Sequence, residues 1–122
     1  MIQVIQKGIN PILNQYDYPE LNVRIGIDFG EIGVVQYGID IDRLDGKAIL
    51  TRPHIDMIGP TISIAVKMTS IAKPDQIVIG QKLYDILEDT QKKTFKKISG
   101  ISHIWNYENR IGEGRYSLYG SL

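Results

Sequence analysis

"HIDMIGPTISIAVKM", His54 to Met68, decides how the rest of the chain is read. An acid, Asp56, stands just ahead of Gly59-Pro60. Proline has no amide hydrogen and its φ is already helical, so Pro60 suits the first position of a helix. The apolar spacing carries that helix to about residue 72, where Lys73-Pro74-Asp75 stops it. On a helical wheel Ile62, Ala65, Val66, Thr69 and Ala72 form one apolar face, and Ile64, Met68 and Ile71 a second. A helix apolar nearly all round is expected to be largely buried. Ser63, Lys67 and Ser70 interrupt it at spacings of four and three and share one stripe. An unpaired buried ammonium is very costly, so Lys67 must reach water, a carboxylate or an anionic ligand. Taken singly, Lys67 reads as a lysine snorkelling to solvent, and Asp56 as a local hydrogen-bonding residue before a turn. Taken together, an acid that can orient a base and a cation that can hold phosphate, with a hydroxyl beside it, are what a nucleotide site needs.

Working outward, Ile2, Ile5, Ile9, Ile12 and Leu13 keep helical spacing, broken at Gly8 and Asn10-Pro11. A kink or restart is expected there, with Asn10 as cap. Val23, Ile25, Ile27 and Phe29 alternate as a strand, and Ile32 to Tyr37 reads as a second, with Gly30-Glu31 as a tight connection between them. Asp45-Gly46 is the strongest hairpin signal in the chain, so Ile39 to Leu44 and Lys47 to Arg52 are predicted to pair. Beyond the central helix, Gln76 to Ile79 is a short strand and Gly80 opens a helix to about Glu88. Ile98 to Tyr107 and Arg115 to Tyr119 read as two strands, with residues 109–114 as their loop. The order of elements predicts an α+β fold, helices packed on one face of a mixed sheet, in a single domain spanning 1–122.

Composition narrows the function. Fourteen basic residues balance fourteen acidic ones, so no excess of positive charge is present to grip nucleic acid or an anionic membrane. Lys92, Lys93, Lys96 and Lys97 form the one basic cluster, read as a solvated helix end or loop in preference to a phosphate site. The absence of cysteine rules out a disulfide scaffold, a thiolate metal site and a cysteine nucleophile, and agrees with a reducing, cytoplasmic setting. His54 and His103 stand far apart, without zinc-site spacing. No apolar run approaches the roughly 20 residues needed to span a bilayer.

Three blocks resemble the class III adenylate and guanylate cyclase catalytic domain. "VRIGIDFGEIG", Val23 to Gly33, is similar to that family's RxGIHxGxxxxG segment. "IDMIGPTISIAVKM" resembles its helix entry, and "AKPDQIVIGQKLYDIL", Ala72 to Leu87, the block that follows. "YSLYG" looks like its closing strand. The resemblance implies a cyclase-type, ferredoxin-like sheet. It also implies roles by position: Asp56 in purine recognition, where an acid goes with adenine; Ser63 where the family has a ribose-positioning asparagine; and Lys67 where it has an arginine stabilising the transferring phosphate. In that family ATP cyclises when the 3′-hydroxyl attacks the α-phosphate, assisted by two metal ions on two aspartates. The active centres form between two chains.

The departures matter as much as the matches. The family's metal aspartates lie on a first strand of pattern FxDIxxF and a following hairpin, and neither pattern occurs in this sequence. Asp28, Asp40, Asp42 and Asp45 do not match those positions, so no metal ligand is assigned. Serine for asparagine removes an amide; lysine for arginine keeps the charge but loses the planar fork. The resemblance therefore implies a domain incomplete at its N-terminal end, lacking the metal-binding strands. Such a chain is expected to be inactive alone, using Mg or Mn with ATP only where a complete site is assembled. An unpaired strand edge invites pairing, so a homo-oligomer or a complementing cyclase half is expected as partner. A nucleotide-binding or dimerisation/regulatory module without turnover is the alternative. Near the end, Arg110, Glu113 and Arg115 compete for the position of a phosphate-binding lysine, and none is chosen.

Overall fold

Parallel strands need a crossover connection, and the long helix read from Pro60 supplies it. The computed structural model describes residues 1–37, 41–44, 47–50, 54–108 and 114–122. Strand β1 (Arg24–Ile27) lies parallel to β6 (Gln76–Gly80), Arg24 opposite Gln76 and Ile27 opposite Ile79. Between them come β2 (Gly33–Tyr37), β3 (Ile41–Leu44), β4 (Lys47–Leu50), β5 (His54–Ile58) and helix α3 (Pro60–Ile71). After β6 follow α4 (Gln81–Ile86), α5 (Asp89–Lys92), β7 (Phe95–Lys97) and β8 (Leu118–Ser121). The main sheet runs β1-β6-β8-β7, parallel at its first pair and antiparallel at the other two. This is the expected α+β arrangement on a mixed sheet. Among the described residues no helix is long and apolar enough to cross a membrane.

The seat of α3 is Gly26. A Cβ there would overlap the carbonyl oxygen of Ala65 and come within 2.8 Å of Met68 Cβ. Helix and strand thus meet with no side chain between them. Met68 and Ala72 then join Val78, Trp105, Tyr116 and Leu118 in the core, with Ile64, Ile71, Ile98, Ile101 and Tyr107 packed around it. Successive residues of a strand face opposite sides, so Tyr119, next to Leu118, turns to the other face. There it stacks on Tyr84 of α4 with ring centroids 3.7 Å apart, over the buried Ile79.

The N-terminal helix is made of α1 (Ile2–Val4), a π-type turn over Ile5–Ile9, and α2 (Asn10–Gln15). The break expected at Gly8 and Asn10-Pro11 is that wider turn. Asn10 does not cap. Its buried side chain donates to the Leu21 carbonyl at 3.0 Å and accepts from the Leu21 amide at 2.8 Å. Asp75 ties the same segment to the sheet: its carboxylate accepts from Gln6 Nε2 and from the Val23 amide, each at 3.0 Å.

Several sequence expectations are corrected. β1 and β2 do not pair across Gly30-Glu31; β2 pairs antiparallel with β5 in a separate ribbon. Both segments alternate, and alternation reports a face, not a partner. The helix from Pro60 is not largely buried: within it only Met68 is fully covered, and Val66 is 64% exposed. Residues 101–104 form a turn that drops Trp105 into the core, so the strand expected at Ile98 to Tyr107 is instead β7, earlier and within the lysine-rich stretch. The last strand begins at Leu118, with Arg115 in an isolated bridge to Glu108. The helix opened by Gly80 ends at Ile86, and a capping box of Glu88 and Gln91 starts α5. The expected hairpin flanks pair as β3 and β4, Ile41 opposite Leu50; Asp40, Asp45, Gly46 and residues 109–113 lie outside the described residues.

The contact at Gly26 gives a direct test. Gly26→Ala should destabilise the fold by about 1–3 kcal/mol, the usual cost of forcing atoms into a filled space. Gly8→Ala, with nothing within 4 Å of its new methyl, should be neutral or stabilise by up to about 1 kcal/mol through helix propensity. Urea unfolding of both variants checks the pair.

Candidate functional site

Asp56 sits in β5, exposed, opposite Val35 of β2. Its carboxylate accepts from the neighbouring Met57 amide at 2.8 Å. Three residues on, Gly59 takes φ +148, a conformation closed to most side chains, and turns the chain into α3. One turn into that helix Ser63 is exposed, and its amide donates to Gly59. Lys67, a turn further, is half-buried, and its Nζ lies 5.0 Å from the centre of the Tyr107 ring. Ser70 spends its hydroxyl on its own helix, donating to the Lys67 carbonyl at 2.6 Å.

The polar stripe is therefore real, on the side of α3 away from Met68. Ser63 and Lys67 share it. Asp56 comes from the preceding strand, and among the described residues no hydrogen bond joins it to either. None of the principal clefts is lined by these three residues.

One cleft, sharing Ile64 and Tyr107 with their surroundings, lies where ligands of α/β sheets commonly bind, beyond the carboxyl ends of parallel strands. It encloses about 780 Å³ between the end of β1, the first turn of α3 and the first turn of α4, with Asp28, Glu31, Thr61, Ile64, Lys82 and Tyr107 among its walls. At its base Tyr116 Oη donates to Asp28 Oδ1 at 2.5 Å and accepts from the Lys82 amide at 3.1 Å. Gly80 makes room for this pair, because a Cβ there would overlap Asp28 Oδ1. Burial, and then the hydrogen bond to Asp28, push the Tyr116 hydroxyl well above the ordinary tyrosine range. Burial, and then Tyr84 and Asp85, raise Tyr119 as well.

Sequence reasoning did not find Tyr107 or the Asp28–Tyr116 pair. Tyr107 was one residue of an expected strand, and 88 positions separate Asp28 from Tyr116, so no local spacing links them. Among the described residues no three metal-ligating side chains stand together, and the Asp28 carboxylate is already engaged.

The family described as adenylate and guanylate cyclase catalytic domain matches residues 1–104. The fold is similar to the guanylate cyclase domain of RhGC from Catenaria anguillulae, solved in complex with GTP. That likeness has a TM-score of 0.56 at 20% identity, and covers 96% of this chain. The match spans 55% of the length of that solved chain. No curated protein matches.

The Tyr116 hydroxyl predicts a measurable pH effect. Its pKa is raised in the folded state, so above an ordinary tyrosine value of about 10 the unfolded chain releases the proton first. Stability present below that pH is then lost as pH rises. Tyr116→Phe should cost about 1–3 kcal/mol at neutral pH by stranding its partners, and should flatten the loss of stability above pH ~10. Denaturation curves at pH 7 to 11 on both proteins read this out.

Proposed function

The chain belongs to the adenylate and guanylate cyclase catalytic domain family, and we propose that it supplies the purine-and-phosphate side of a nucleotidyl cyclase site. In this reading Asp56 accepts from the base, Ser63 positions the ribose, and Lys67 holds the transferring phosphate. The observation that carries it is the pair on α3: Ser63 open to solvent and Lys67 one turn away, half-buried with its ammonium against an aromatic face. A carboxylate can only accept, and either purine offers it an amino group; ATP is the nucleotide we assign because the resemblance places Asp56 at a position where an acid goes with adenine. The GTP of the Catenaria domain belongs to that protein.

Alone, the chain should turn over little or nothing. Serine brings no amide and lysine no bidentate fork, and a single lost preorganised donor commonly costs about 10²–10³ in rate. Mg or Mn would have to be held by carboxylates from another segment or chain. Two features support association in a homo-oligomer or with a complementing cyclase half. β1 is an edge strand with one side unpaired among the described residues, and such edges take up strands. Apolar surface also stands exposed. Part of it is the ribbon face of Val34, Ile55 and Met57, exposed by 67%, 71% and 57%. Cytoplasm, where ATP meets reducing conditions, is the proposed setting. The substituted positions Ser63 and Lys67 favour one second reading, a nucleotide-binding or dimerisation/regulatory module without turnover.

The purified chain with ATP and Mn²⁺ should make no detectable cyclic AMP; clear turnover would overturn the inactivity. ATP binding by calorimetry should weaken about tenfold or more in Asp56→Ala, as loss of a hydrogen bond to a charged group does. Unchanged binding would remove the base-recognition role. Light scattering at micromolar concentration should give a mass above the 13.8 kDa of one chain.

A further inference from the structure

Lys67 is a flexible side chain, but what it rests on is not flexible. The Tyr107 ring tilts against Trp105, with centroids 4.8 Å apart at 50°, and Trp105 is 2% exposed in the core. Trp105 Nε1 donates to the Tyr116 carbonyl at 2.8 Å, and the Tyr116 amide donates to the Tyr107 carbonyl at 2.8 Å. The ring is thus fixed to the core by a buried indole on one side and by backbone on the other. Its face then meets the Lys67 ammonium, Nζ 5.0 Å from its centre.

We propose that Tyr107 is a positioning residue for Lys67, holding the ammonium in place for an anionic phosphate ligand. The proposal rests on the reading of Lys67 as the phosphate-holding cation. An aromatic face carries negative quadrupole charge and attracts a cation. It occupies only one side of the ammonium, so N–H donors on the other side remain for phosphate oxygens. Arginine is preorganised by its planar fork; lysine has a free stem and a point charge. The ring returns to the lysine part of the orientation that the substitution removes, and a cation already ordered loses less freedom when its ligand arrives. Tyr107 also lines the cleft of about 780 Å³, while Lys67 lies outside its walls, so the phosphate would be met at the ring face that bears the ammonium.

The test uses the full chain and two variants, with inorganic triphosphate as the probe. Tyr107→Phe keeps the aromatic face; Tyr107→Leu removes it. The chain has one tryptophan, so unchanged Trp105 emission certifies that each core is intact. In the free protein the Lys67 ε-methylene protons should be ring-shifted upfield in the parent and in Tyr107→Phe, and return to an ordinary position in Tyr107→Leu. Triphosphate titrations followed at the same resonance should give equal affinity for the parent and Tyr107→Phe, and about 2–5-fold weaker affinity for Tyr107→Leu. Lysine resonances that show no ring shift, with triphosphate still bound through Lys67, would overturn the positioning role alone. A ring shift with no response to triphosphate in any variant would overturn both the role and the phosphate reading. Equal affinity in all three proteins would reduce the contact to packing.

Discussion

A side chain at Gly26 would stand where the Ala65 carbonyl oxygen already lies, so α3 and β1 meet backbone to backbone. That closeness sets the rest of the sheet. It lets Met68 and Ala72 reach past β1 to Val78, and brings the end of the crossover to β6 in register with β1. β8 adds to β6, and Trp105 and Tyr116 close the core over the same helix. Interiors are packed as densely as organic crystals, so a helix lifted by one methyl would not be accommodated by its neighbours.

The same contact fixes which side of α3 is free. With Ala65 and Met68 pressed on the strand, Ser63, Val66 and Ser70 must face outward, and they are exposed. Lys67 belongs to that outer side by its position in the helix. It is half-buried because residues 105–107 fold back beside it, bringing Tyr107 under its ammonium. The exposed Val66 has the same origin. What looked on a helical wheel like a helix to be buried all round is a helix buried on one side, with an apolar residue left over on the other.

Much of this was legible in the sequence because it depends on local signals. Pro60 and Lys73-Pro74 bound α3 within a residue or two of its observed ends, and the Asp45-Gly46 flanks pair as β3 and β4. The stripe of Ser63 and Lys67 follows from helical period alone. Several of the failures are questions of partner. Val23 to Phe29 and Ile32 to Tyr37 alternate well enough for adjacent strands, yet β1 takes a neighbour some 50 residues away and β2 another. Asn10 before proline has the chemistry of a cap, but a buried amide facing the Leu21 backbone satisfies two groups at once. Asp28, Tyr107 and Tyr116 acquire their meaning from contacts that no local spacing announces.

The two substituted positions on α3 then read differently from two independent losses. Ser63 has no neighbour that replaces the missing amide; its side chain is exposed, with no hydrogen-bond partner among the described residues. Lys67 does have a neighbour at its ammonium, and that neighbour packs on the largest buried side chain of the core, Trp105. A lysine drifting free of any function would be expected in solvent, where its charge is best hydrated and its stem most mobile. Holding it against a ring gives up part of that freedom for an attraction of only about 0.5–1 kcal/mol at an exposed site. Such an arrangement suits a cation whose position matters and does little for one whose position does not, so it supports the proposed phosphate role of Lys67 more than the proposed ribose role of Ser63.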